Sequence, residues 1–179
     1  MLSTKPDSLI WPGWKSVTTA KQIELKRNGP TRFRLAPEYH SQVRECWRAM
    51  EQVWEQGNWA LVVDEAYYLQ DRLGLGDQMI KLLTQGRSKG ISVIVGMQRP
   101  SRVTRFALSE PTHVLSGKLG DSRDIKILNE CIGGNYAQSL TDLQPYQFAY
   151  LDKRSDKTIL VNKDSVLNVM QGKEKQNGI

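Results

Sequence analysis

The chain has 179 residues, 39% hydrophobic and 25% charged, which suits one domain with a proper core and an ordinary soluble globular composition. Its net charge of +6 and pI near 9.4 admit a nucleic-acid or other polyanionic partner without requiring one. No apolar stretch approaches the length of a membrane span, and the N-terminus lacks a charged-then-apolar signal layout, so a soluble, intracellular protein is expected.

Residues 1–14 contain Trp11 and Trp14 with Pro6, Pro12 and Gly13 as helix breakers, and read as the end of a strand followed by a loop. SVTTAKQIELKRNG reads as a short helix that starts near Ser16 or Thr18 and stops at Gly29-Pro30. TRFRLAP alternates, with Phe33 and Leu35 on one face, and predicts a strand ending at Pro37. Between Tyr39 and Gln56, Val43, Cys46, Trp47, Met50, Val53 and Trp54 recur at helical spacing, and Gly57 supplies the stop. The tryptophans are expected to pack against the sheet.

WALVVDEAYYL, at 59–69, runs four apolar residues into Asp64 and Glu65. Such a run predicts a strand buried on both faces, as at the centre of a parallel sheet. Two acids at its end need a reason, because unpaired buried charge is expensive. A divalent cation beside a reacting phosphate is one reason, which gives the Walker B layout of a phosphoryl-transfer ATPase. The alternative is an acidic loop whose carboxylates are solvated or cap the next helix.

A Gly-containing loop, DRLGLGDQ, leads to a helix over about 77–85. ISVIVGM, at 91–97, predicts a second buried strand, with Gln98, Arg99, Pro100 and Ser101 at its end. Helical signal is weak through SRVTRFALSE. THVLSG, at 112–117, predicts a third strand, and Asp121 or Ser122 caps a helix through Cys131 that ends at Gly133-Gly134. TDLQPYQFAYLD and KTILVN pair as strands around Lys153 to Asp156, and the polar tail after Met170 reads as disordered. Cys46 and Cys131 read as buried thiols without a disulfide, and His40 and His113 are too isolated for a metal site. Strands alternating with helices, with continuous apolar runs, predict an α/β layer fold with a mainly parallel sheet. Ligands then sit beyond the carboxyl ends of the strands, where Asp64-Glu65 and Gln98-Arg99 both fall.

VVDEAYYL, GRSKGISVIVGMQRPSR and THVLSGKLGDSRDIKIL together resemble the FtsK/HerA branch of P-loop ATPases, collinearly over about residues 58–132. QRPS after an apolar strand, preceded by GR-x-x-G, carries most of the likeness; STKPDS adds a weaker one to a strand-end D-x-K segment. The resemblance implies a RecA-like core with a C-terminal β-hairpin, spanning residues 1–170, and it implies ATP and Mg²⁺ as cofactors. Asp64 then looks like the Mg²⁺-associated acid, Glu65 like the general base and Gln98 like the polar sensor toward the γ-phosphate. Arg87 looks like an arginine finger that reaches the neighbouring subunit's nucleotide, or else it is a helix C-terminal cation. Arg99 and Arg102 would contact DNA or another subunit, or be plainly solvated.

The G-x-x-x-x-G-K-[ST] loop that cradles phosphates is nowhere in the sequence. GLGDQ lacks the lysine, and GRSKG ends in Gly. The family order places that loop before residue 1, so the first strand and Walker A helix are expected to be missing, the sequence either continuing an upstream polypeptide that carries the loop or being a truncated or internally started product. The expected function is the Walker B, sensor and arginine-finger half of an ATP-driven double-stranded DNA translocase or genome-packaging motor, in a homo-oligomeric ring, a hexamer. It would act in the cytoplasm, the host's if the source is viral, and would not hydrolyse ATP alone. The alternatives are a non-hydrolysing ring subunit or interaction module derived from such an ATPase, and an unrelated α/β binding domain.

Overall fold

The computed structural model describes residues 1–3, 12–23, 29–132 and 136–162; the rest of the STKPDS segment, Gly133-Gly134 and the tail after Met170 lie outside the described residues. The chain forms two units, Met1–Glu110 and Pro111–Ile179.

In the first unit, β1 (Leu2–Ser3), β2 (Lys15–Val17), β3 (Thr31–Arg34), β4 (Ala60–Val63) and β5 (Ser92–Val95) make one all-parallel sheet in the order β2-β3-β1-β4-β5. Parallel neighbours require crossovers, and α1 (Tyr39–Gln56) and α2 (Gly76–Gln85) supply them. Leu2, Phe33, Leu61 and Val63 are buried. They share one strand parity and face α1, whose buried side is Glu45, Cys46, Ala49, Met50 and Val53.

Helix α1 has the expected bounds, stopped by Gly57 at φ 66°. Its tryptophans are not core residues. Trp47 is 44% exposed, and Trp54 is half-buried beneath Lys81 and Lys89, whose ammonium nitrogens lie 4.4 and 4.7 Å from its ring centroid. Cys46, Met50 and Val53, at 0%, 1% and 5% exposure, take the innermost positions instead.

Residues 15–17 are strand β2 rather than the start of a helix, because Val17 pairs with Phe33 and is 3% exposed. A short 3-10 turn, Ala20–Gln22, follows, with the Gln22 amide oxygen accepting from the Thr18 and Thr19 N–H groups. Nor is β5 buried: Ile94 is 60% exposed, since among the described residues the strand pairs only with β4.

In the second unit, β6 (His113–Ser116), β7 (Gln147–Asp152) and β8 (Lys157–Asn162) form an antiparallel sheet, with α4 (Ser122–Ile132) and α5 (Tyr136–Ser139). A short α3 (Phe106–Ser109) closes the first unit, where helical signal was weak. The expected hairpin at 153–156 forms, but β6 joins it rather than the parallel sheet. Asp121 caps α4 as expected, its carboxylate accepting from the Arg123 N–H at 2.9 Å. Tyr136 donates its hydroxyl to the Ala149 carbonyl at 3.0 Å, fixing α5 to β7.

Candidate functional site

β4 and β5 are parallel neighbours in the register Ala60↔Ser92 through Val63↔Val95. The acids after β4 and the QRPS element after β5 therefore leave the sheet at one rim, on adjacent strands. The register continues past the strand ends: the Gly96 N–H donates to the Val63 carbonyl at 2.7 Å, and the Ala66 N–H donates to the Gly96 carbonyl at 2.9 Å. Asp64 and Glu65 lie between those two bonds, so their backbone is fixed on both sides. Both are intermediate in exposure, while Gln98 is exposed.

Beyond the acids the chain turns helical at Ala66 and continues as a π-helical turn, Tyr68–Arg72, which takes in the first two residues of the expected DRLGLGDQ loop. Burial drives this turn, since Ala66, Leu69, Leu73 and Leu75 are all 3% exposed or less. It is also tied to its surroundings. The Tyr68 hydroxyl donates to the Gln42 side chain of α1 at 2.8 Å, and the Thr104 N–H donates to the Gln70 side chain at 2.6 Å. Arg102 stacks its guanidinium over Tyr67 at 5.7 Å. The QRPS loop and the acid turn thus form one braced unit.

Arg87 lies elsewhere. It sits in a 3-10 turn, Gly86–Lys89, which precedes the amino end of β5. The four residues of β5 alone span about 13 Å, so the structure separates Arg87 from the acids of its own chain. Arg99, intermediate in exposure, enters another 3-10 turn, Pro100–Arg102.

Three further observations bear on chemistry. A cavity of about 690 Å³ opens at the amino ends of the strands, lined by Met1, Trp14, Pro30, Trp59 and α1 residues; it is at the wrong rim for the acids. Cys46 is fully buried, which pushes its thiol up to about 12, aided by the Glu45 charge, while Cys131 is only half-buried, against expectation. Among the described residues no cluster of three or more His, Cys, Asp or Glu could cage a metal. A lone acid pair fits Mg²⁺, which keeps several waters and takes one or two carboxylates plus substrate phosphates. The residues present fit the cation and water side of a nucleotide site; they do not include its phosphate cradle.

Sequence reasoning missed two polar residues beside this rim. Ser3 and Arg32 are 1% and 4% exposed, and the Ser3 hydroxyl reaches Asp64 Oδ2 at 3.3 Å. An arginine in the alternating TRFR run was the one available signal.

The fold, a mainly parallel sheet with flanking helices plus an antiparallel hairpin, is that of solved genome-packaging P-loop NTPases. In sequence the chain is similar to the DNA packaging ATPase P9 of Enterobacteria phage PRD1, with 33% identity over 128 residues, 69% of the chain. It spans about half of that relative, 52% of its length. The genome packaging NTPase B204 of Sulfolobus turreted icosahedral virus 2, bound to AMPPCP, superposes with a TM-score of 0.61 at 16% identity, covering 81% of this chain and 71% of B204. The DNA-packaging ATPase B204 of Sulfolobus turreted icosahedral virus gives 0.60 at 16%, covering 82% and 80%. No protein-family model matches, and among the described residues no helix is long and apolar enough to cross a membrane.

Proposed function

We propose that this chain supplies the acid pair, sensor and arginine finger of an ATP-driven motor that packages double-stranded DNA, working as a homo-oligomeric ring, a hexamer, in the host cytoplasm. The observation that carries this reading is the β4–β5 register, which sets Asp64-Glu65 and Gln98 on adjacent strand ends. Homology to a DNA packaging ATPase supports the cargo, and the net charge of +6 suits a polyanion.

Within the site, Asp64 would hold the water shell of Mg²⁺, and the cation would neutralise charge on the transferring phosphate. Glu65 orients the attacking water and accepts its proton. Gln98, an uncharged amide, donates to a phosphate oxygen while accepting from that water. Arg87 acts on the neighbouring subunit's nucleotide, in keeping with its place at the opposite rim of its own sheet. Arg99 contacts DNA or a neighbour, and Arg102 buttresses Tyr67 beneath such a contact. The phosphate loop comes from polypeptide outside these residues, and the side of β5 that has no pair among the described residues is where its strand would add.

The test is ATP turnover. The chain alone is expected to show no Mg·ATP-dependent hydrolysis. Supplying a strand–GxxxxGK[ST]–helix segment should produce turnover that Glu65→Gln abolishes. Robust hydrolysis by the chain alone, lost on Glu65→Gln, overturns the division of the site.

A further inference from the structure

A line of polar side chains runs behind the acid pair, through three strands of the sheet. Strand parity puts them together. Leu2 pairs with Phe33 and with Val63, and all three are buried on the α1 side. Side chains alternate along a strand, so Ser3, Arg32 and Asp64, one step away from each, share the opposite face. There Arg32 Nη2 donates to Ser3 Oγ at 3.1 Å, and Ser3 Oγ donates to Asp64 Oδ2 at 3.3 Å. The backbone reinforces the same contact, with the Asp64 N–H donating to the Leu2 carbonyl at 3.2 Å.

The direction of these bonds follows from chemistry. A guanidinium only donates, and a hydroxyl has one proton. With Arg32 donating to Ser3, the hydroxyl's own proton is directed at the carboxylate. The contact to Oδ2, at 3.3 Å, bears on one of the two carboxylate oxygens. Burying an arginine in a four-residue strand is costly, and an apolar residue there would pack at no such cost.

We infer that Ser3 and Arg32 are positioning residues for Asp64: the serine hydroxyl orients the acid that addresses the divalent cation, and the arginine holds that hydroxyl in its donating orientation. This rests on the reading of Asp64 as the cation-associated acid and extends it to a control behind the site. Both residues are buried, at 1% and 4% exposure. Outer partners of this kind change metal affinity on the order of 10-fold or more when removed.

The test is a Mn²⁺ titration of the isotopically labelled 179-residue chain, followed by paramagnetic broadening of the Ala66 and Gly96 amide resonances. Compared are the wild type, Asp64→Asn, Ser3→Ala, Ser3→Thr and Arg32→Met. Local broadening in the wild type should vanish in Asp64→Asn. Ser3→Ala and Arg32→Met should each raise the Mn²⁺ concentration at half-broadening about 10-fold, with the remaining spectrum native. Ser3→Thr, which keeps the hydroxyl, should titrate like the wild type. Wild-type titration by Ser3→Ala beside a silent Asp64→Asn overturns the positioning role and leaves the cation acid standing. Undiminished broadening in Asp64→Asn removes the cation reading itself, and the inference with it. A Ser3→Thr variant as impaired as Ser3→Ala, or a collapsed Ser3→Ala spectrum, makes the position one of packing and also overturns the inference.

Discussion

The Gly96 backbone passes so close to Asp64 that a β-carbon built on Gly96 would stand 2.7 Å from the Asp64 carbonyl oxygen and 3.2 Å from its carbonyl carbon. No side chain can relieve that clash, because the obstructing atoms are backbone. The glycine between the apolar strand and QRPS is therefore a spacing requirement of the acid rim. Gly96→Ala should destabilise the protein by about 1–3 kcal/mol, while Gly120→Ala, where nothing lies within 4 Å, should be close to neutral. Urea unfolding of the two variants measures the contrast.

Glu45 holds the turn after β2 onto α1, its carboxylate accepting from the Ala20 N–H at 3.0 Å and from Arg44 and Arg48 at 3.0 and 3.2 Å. Burial by itself would raise its pKa. The hydrogen bonds from Arg44 and Ala20 and the charges of Arg48 and Arg44 outweigh burial and bring it below the usual 4.5. The folded value lies below the unfolded one, so the stabilisation is complete above about pH 4.5 and is lost as pH falls through the folded value. Glu45→Gln should cost about 1–3 kcal/mol at pH 7, and less as the medium is acidified. Denaturant midpoints of both proteins between pH 7 and pH 3 should converge.

Thiol reactivity should divide the two cysteines. Cys46 is fully buried and its thiol is pushed up to about 12, whereas Cys131 is half-buried. At pH 8 iodoacetamide should modify Cys131 in the native protein and Cys46 only in denaturant. Mass spectrometry of the digested chain reads both sites.

Arg87 tests the ring. In assemblies that mix Arg87→Ala chains with hydrolysis-competent neighbours, turnover per competent site should fall by about 10³-fold or more if the arginine acts in trans. Unchanged turnover would favour a passive interaction module.

Much of this fold could be read in advance because its long elements carry strong periodic signals. Helix α1 declares itself through residues spaced three and four apart, and β4 and β5 through their Val-rich runs. β2 was hidden, because Ser16-Val17-Thr18 precedes a helix-like stretch and only its pairing with Phe33 decides the outcome. The exposure of Trp47 and Ile94 was equally invisible, since periodicity names a face without saying what covers it. At the rim, Asp64, Glu65 and Gln98 could be located from strand ends alone. The Ser3–Arg32–Asp64 line could not, because it needs the register of three strands distant in sequence. The π-helical turn escaped for a related reason: its signal is tertiary burial of Leu69 and Leu73.

The outer side of β5 has a practical consequence for anyone handling the purified chain. Among the described residues the Ser-Val-Ile-Val ribbon is paired on one side only, and with Ile94 60% exposed it is a template on which a second molecule can stack by main-chain bonding. Concentrated stocks should thicken and cloud over time, and Ile94→Lys, a charge set on that ribbon, is the simplest way to keep them clear.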